Sequence, residues 1–347
     1  MVGLLLTAQT AMAQTFRKQI VENGGTGKFK SEIVGDSTLE RFTIYRPQQL
    51  KEVVKKAGKL PVILYANGAC ANNNVEIRYF LNEIASHGYV AAAIGPYDEA
   101  DFYAHWTDVM RMMYPKKKDV VLANGTLVKR PSQEELKEMM EKQKAEREAA
   151  MKAAQQKGKK GKKIAAPVTP SQQTYPKMLL EVLEWLTDQN ANSKSEYYHC
   201  LNLDEIAVMG QSCGGAQALA VAHDPRIKTC VILNSGIGDM EMMGANKDQL
   251  ENLHTPMFYL IGGEGDIAFP NAGKDFVRLN HVPVVMINTI DEHEGTYYEE
   301  HGGSYAVAVT KWLDWQLKKQ EGQSALFLDD EYIKMKYPDW TIERKNF

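Results

Sequence analysis

The sequence predicts an α/β fold: an about eight-stranded, mostly parallel sheet with helices on both faces. Three observations carry that expectation. Short apolar runs alternate with helical patterns from residue 61 to residue 319. The later runs are apolar throughout, as strands buried on both faces of a parallel sheet must be. Between residues 107 and 172 the alternation stops, as an insertion after the fourth strand would make it stop.

The chain opens with "MVGLLLTAQTAMA" at residues 1–13, an apolar stretch without a basic start that ends in Ala11-Met12-Ala13. From that A-x-A pattern a signal peptide whose cleavage leaves Gln14 is expected, and with it export to a periplasm or the exterior, with an ordinary apolar tail as the alternative. "KFKSEIV" (28–34), Gly35-Asp36 and "ERFTIYRP" (40–47) form an expected antiparallel hairpin. Strands follow at 61–68, 89–96, 205–210, 229–236, 256–263 and 283–290, and helices at 75–88, 178–189, 214–223, near 271–280 and at 305–319. Within the insertion, residues 132–163 combine strong helix formers with few large apolar groups, and residues 151–163 hold six lysines and no acid. A solvated Lys/Glu-rich helix and linker is expected there, with a lid or an anion-binding patch as the alternative. The domain is expected to span 14–320, with 321–347 as a C-terminal extension.

Composition narrows the classes of function. With 347 residues, 44% hydrophobic and 24% charged, the chain can bury a sizeable core. A net charge of −3 gives no electrostatic reason to expect a nucleic-acid partner. Beyond the first residues no stretch approaches the roughly 20 apolar residues that span a bilayer, so stable membrane insertion is not expected. The four cysteines, Cys70, Cys200, Cys213 and Cys230, show no CxxC metal spacing but suffice for two bridges.

Chemistry concentrates at Gly210-Gln211-Ser212-Cys213-Gly214, a G-x-S-x-G phrase between a strand and a helix. Flanking glycines let the chain turn sharply and expose the serine hydroxyl. A serine nucleophile needs a base for its proton and an acid to orient that base, and both are expected at the ends of later strands. Asp266 follows the run 256–263 and His293 follows 283–290, on the same sheet edge as Ser212. Asp239 is the alternative acid and His301 the alternative base. Glu264 and Asp291 are weaker candidates, and His87, His199, His223, His254 and His281 fall in loops or at helix ends. His105, beside Trp106, could contact a substrate.

"GQSCGG", "NGAC" (67–70), "ASHGYV" and "HEGTYYEEHGGSYAVAVTKWLDWQL" together resemble α/β-hydrolases of the secreted esterase kind, similar to dienelactone-hydrolase-like and polyester-hydrolase-like enzymes, over about residues 28–320 less the insertion. In that family a phrase of the form HGGTY carries the catalytic histidine. The phrase matches His293-Glu294-Gly295-Thr296-Tyr297 here, with a glutamate in place of the first glycine, and favours His293 over His301.

Acyl transfer also needs donors aimed at the oxygen that becomes negative, usually the amide after the nucleophile and one after the third strand. Those are Cys213 and Ala69. The expected activity is therefore a serine hydrolase for carboxylic esters, small or polymeric, with Ser212 as nucleophile and no metal or organic cofactor. A peptidase, an acyltransferase and a binding protein that kept the fold are the alternatives. Convergence of the two glycine-cysteine loops would also bring Cys70 and Cys213 within the roughly 4.4–6.8 Å between Cα atoms that a disulfide spans, and would leave Cys200 and Cys230 to pair at the opposite edge.

Overall fold

Apolar runs such as Leu60–Ala66 and Met257–Ile261 are buried along their whole length, and a backbone so enclosed satisfies its amides and carbonyls through neighbouring strands. The computed structural model describes residues 19–20, 24–99, 120–121, 127–128 and 174–347. The expected signal peptide, His105, Trp106 and the Lys/Glu-rich stretch 132–163 lie outside the described residues.

Ten strands form one sheet: β1 Gln19–Ile20, β2 Ser31–Val34, β3 Phe42–Pro47, β4 Leu60–Ala66, β5 Val90–Ile94, β8 Leu201–Gln211, β9 Ile227–Leu233, β10 Met257–Ile261, β11 Val284–Asn288 and β12 Thr341–Lys345. The strands β6 Val120–Val121 and β7 Leu127–Val128 pair separately with each other. The order across the main sheet is β1-β2-β3-β5-β4-β8-β9-β10-β11-β12. From β5 to β11 neighbours are parallel, while β1, β2 and β3 at one edge and β12 at the other run antiparallel. The two strands beyond the expected eight are β1 and β12. Residues 321–347, set apart in the sequence as an extension, thus supply an edge strand that pairs with β11 along Val284↔Lys345 to Asn288↔Thr341.

Helices cover both faces because strand side chains alternate. Val62, Leu64, Ile206 and Val208 face the layer of α1 Leu50–Ala57, α3 Met178–Ala191, α4 Cys213–Val221, the short α5 Lys247–Leu250 and α6 Phe269–Arg278. Ile63, Tyr65, Ala207 and Met209 face α2 Arg78–Ser86, α7 Gly303–Gln316, α8 Ala325–Leu328 and α9 Asp330–Lys336. Trp312 of α7 locks its layer to the sheet: it stacks on Phe258 of β10 at 5.2 Å, and its indole N–H donates to Thr229 Oγ1 of β9 at 2.8 Å. Among the described residues no helix is long and apolar enough to cross a membrane.

One buried carboxyl braces the loop that leaves β9. Asp275 of α6 is fully enclosed and accepts the amides of Ile237 (2.7 Å) and Gly238 (2.8 Å). Burial pushes its pKa from the ordinary 3.8 up to about 6, against the opposing pull of those two amides. A raised carboxyl pKa means that the folded state holds the proton more tightly than the unfolded chain does. Its contribution to stability is full below the unfolded pKa and is lost as pH rises through the folded one. Urea unfolding of the wild type and of Asp275→Asn, which cannot titrate, checks this: wild-type stability relative to the variant should fall by about 3 kcal/mol between roughly pH 4 and pH 7. A difference independent of pH would show that Asp275 does not titrate as its burial requires.

Candidate active site

The site forms where β8 turns into α4. Ser212 occupies the turn with φ 53° and ψ −119°, a strained conformation that a non-glycine residue holds only where its surroundings over-determine it. Its amide donates to the Leu233 carbonyl at 2.9 Å, and its carbonyl accepts from Ser235 Oγ at 2.7 Å and from the Gly215 amide at 2.9 Å. The flanking glycines are required by space. A Cβ on Gly210 would stand 2.0 Å from the Gly214 carbonyl oxygen, and one on Gly214 would stand 2.1 Å from that of Ala66. The second contact brings the first turn of α4 against the end of β4.

That approach joins the two glycine-cysteine loops. Past β4 the chain makes a tight turn at Gly68–Cys70, with Ala69 at φ 53° and Cys70 at φ 50°. Asn67 braces the turn by donating to the carbonyls of Ala71 (2.9 Å) and Ile94 (2.6 Å). Thr174 Oγ1 donates to the Cys70 carbonyl at 2.8 Å and accepts from Gln217 Nε2 at 3.0 Å. Cys70 and Cys213 are joined by a disulfide, with Cα atoms 5.2 Å apart and a sequence separation of 143. Cys213 is the first residue of α4, so its amide has no acceptor within the helix.

His293 stands over the serine. Its Nε2 lies 2.9 Å from Ser212 Oγ, and its Nδ1 lies 2.6 Å from Asp266 Oδ1. The histidine loop packs on the end of β10, where the Glu292 amide donates to the Gly262 carbonyl at 2.9 Å. A Cβ at Gly262 would stand 1.5 Å from the Glu292 carbonyl oxygen, so that packing depends on glycine. Asp266 is 2% exposed and accepts from the amides of Ala268 (2.9 Å) and Gly262 (3.0 Å) and from Asn234 Nδ2 (2.8 Å). Burial alone would raise its pKa. The hydrogen bonds to His293, Ala268 and Gly262 outweigh that effect and hold the carboxyl below its ordinary range, so it stays ionised beside the imidazole.

The rivals lie elsewhere. Asp239 is exposed and ion-paired with Lys274 and Arg278, which hold its pKa at about 2. His301 Nδ1 lies 3.7 Å from Glu83 Oε2 and its Nε2 lies 3.6 Å from Glu300 Oε1. His87 bonds Glu83 at 3.0 Å and His281 bonds the Leu253 carbonyl at 3.0 Å, while Glu264, His223 and His254 face solvent. The Cys200–Cys230 pairing is corrected: both thiols are free and buried. The strand β8 starts at Leu201, directly after Cys200, whereas Cys230 pairs with Val208 further along it. Measured along β4, which pairs Leu60 with Leu201 and Leu64 with Val208, and at about 3.3 Å per residue, that separates them by roughly 15 Å, far beyond the reach of a disulfide. No role was expected for Asn234, which bonds the acid, or for Tyr297 and Tyr305, which bond Asn234. The one local signal was a polar residue directly after the buried run "TCVIL".

Residues 20–269 match the sequence model of the family described as platelet-activating factor acetylhydrolase, isoform II. The match takes in Ser212 and Asp266 and ends before His293. Over 54 residues the chain is 44% identical to the hydrolase ffsE of Aspergillus flavipes, a stretch that covers 16% of this chain and 12% of that protein.

Peptide mapping without reduction, on protein made in an oxidising compartment, should yield a linked Cys70–Cys213 peptide, with Cys200 and Cys230 alkylated only after unfolding. A linked Cys200–Cys230 peptide would contradict the strand register.

Proposed function

The chain belongs to the platelet-activating factor acetylhydrolase isoform II family, an α/β-hydrolase-type family of esterases and lipases, and from that premise we propose that it is a serine hydrolase that cleaves carboxylic esters through an acyl-enzyme. The observation that carries this reading is the single imidazole bridging Ser212 Oγ at 2.9 Å and Asp266 Oδ1 at 2.6 Å.

In the proposed reaction Ser212 Oγ attacks the ester carbonyl carbon as His293 Nε2 takes its proton. Asp266, ionised and fixed by three donors besides the imidazole, keeps Nδ1 protonated and stabilises the imidazolium that forms. The new oxyanion is held by the amides of Ala69 and Cys213, where fixed dipoles need no reorganisation as charge develops. Collapse expels the alcohol, which takes the proton from Nε2. Water then attacks the acyl carbon, gives a proton to Nε2 and releases the acid, and the serine recovers its proton.

In this reading the Cys70–Cys213 disulfide fastens the two walls of the oxyanion hole to each other. Closing a loop of 143 residues would by chain entropy add roughly 4 to 5 kcal/mol to stability. Such a bond persists where the surroundings are oxidising, which supports the export expected from residues 1–13.

Turnover of a 4-nitrophenyl ester by folded variants tests the reading. Ser212→Ala and His293→Ala should each lower kcat by about four orders of magnitude or more, and the double variant should be hardly worse than either, because members of such a unit do not act additively. Wild-type turnover in His293→Ala with loss in His301→Ala would move the base to the second histidine.

A further inference from the structure

Asn234 directly follows β9, and none of its side-chain hydrogen bonds goes to Ser212 or to the turn at Gly68–Cys70. It is fully buried and sits at φ 43°, a backbone region that asparagine occupies more readily than most residues. Its Nδ2 donates to Asp266 Oδ2 at 2.8 Å and to the Glu292 carbonyl at 2.9 Å, with the Tyr305 hydroxyl at 3.2 Å. Its Oδ1 accepts from the Tyr297 hydroxyl. One planar amide therefore grips the acid on the oxygen that does not face His293, and also grips the backbone of the residue before His293.

We propose that Asn234 is a positioning residue for ester hydrolysis, which sets Asp266 and the His293 loop in register with Ser212; the proposal rests on the triad reading. A carboxylate can rotate about its last torsion, and a loop can slide by a fraction of an ångström. Either movement lengthens the chain of hydrogen bonds from Asp266 to Ser212 Oγ, and misplacement by about 1 Å costs on the order of 100-fold in rate. The amide, and not merely its volume, is required. An aspartate at 234 would turn a donor into an acceptor opposite both Asp266 Oδ2 and the Glu292 carbonyl. The two tyrosines orient the amide: Tyr297 fixes Oδ1, while Tyr305, whose own pKa burial pushes far up, stays a neutral partner that also contacts Thr289 Oγ1 at 3.3 Å.

A double-mutant cycle on 4-nitrophenyl ester turnover, with melting temperature as the check of folding, separates positioning from simple packing. Asn234→Ala and Asn234→Asp should each lower kcat about 100-fold with KM within about threefold, and Tyr297→Phe about fivefold. In an Asp266→Asn background Asn234→Ala should cost less than about tenfold and Tyr297→Phe less than about twofold, since the carboxylate they position is gone. Equal losses in both backgrounds, or an unchanged kcat in Asn234→Ala, overturn the proposal. Where Asn234→Ala does not fold, the Tyr297→Phe cycle decides by the same criterion. Wild-type turnover in Asp266→Asn would sink the triad reading and this proposal together. An impaired Asp266→Asn beside a wild-type-like Asn234→Ala would overturn the proposal alone.

Discussion

The nucleophile half of the site depends on how closely the first turn of α4 approaches the end of β4. Gly214 leaves no Cβ where one would lie 2.1 Å from the Ala66 carbonyl oxygen. That proximity puts the turn at Gly68–Cys70 next to Ser212 and sets Cys70 and Cys213 at disulfide distance. Two loops 143 positions apart in sequence thus each carry a cysteine within two residues of a glycine. The close contact demands the glycines, and the sulfur bridge holds the contact shut. Ser212 accepts a positive φ because its amide, its carbonyl and the helix that follows are all fixed by neighbours.

A second constraint is electrostatic. Asp266 is buried, and a buried carboxylate without partners would take up a proton. Here the amides of Gly262 and Ala268, Asn234 and the His293 imidazole offset the cost of burial, and the charge remains where an imidazolium could use it. Asp239 shows the contrast: its partners Lys274 and Arg278 lie at the surface, where an ion pair orients nothing catalytic and contributes little to stability. The same sheet edge thus holds two low-pKa aspartates in unlike settings, and only Asp266 touches a histidine.

Much of this was legible in the sequence because parallel sheets make strand ends converge. Ser212, Asp266 and His293 each follow an apolar run, and strand ends of one sheet share an edge. The bond between Cys70 and Cys213 follows from the same logic. What escaped depends on lengths and packing that periodicity does not carry. The strand β8 begins at Leu201, inside a polar stretch whose residues 202–205 are only partly buried or exposed, so its start reads as later and the Cys200–Cys230 pairing reads as close. The edge strand β12 has the half-exposed sequence "TIERK", and α1 buries only Leu50 and Val53. Neither presents an apolar stripe strong enough to read. Asn234 was invisible for a different reason: its role comes from Tyr297, Tyr305 and Glu292, which meet it only in the folded chain.

The central claim is that Ser212 is the nucleophile and that His293 activates it. Mass spectrometry after reaction with a fluorophosphonate tests it most directly. One adduct per chain on the peptide that contains Ser212, formed rapidly in the wild type and at least about a hundredfold more slowly in His293→Ala, is the predicted result. An adduct on another residue, or labelling of Ser212 at the same rate without His293, would contradict it.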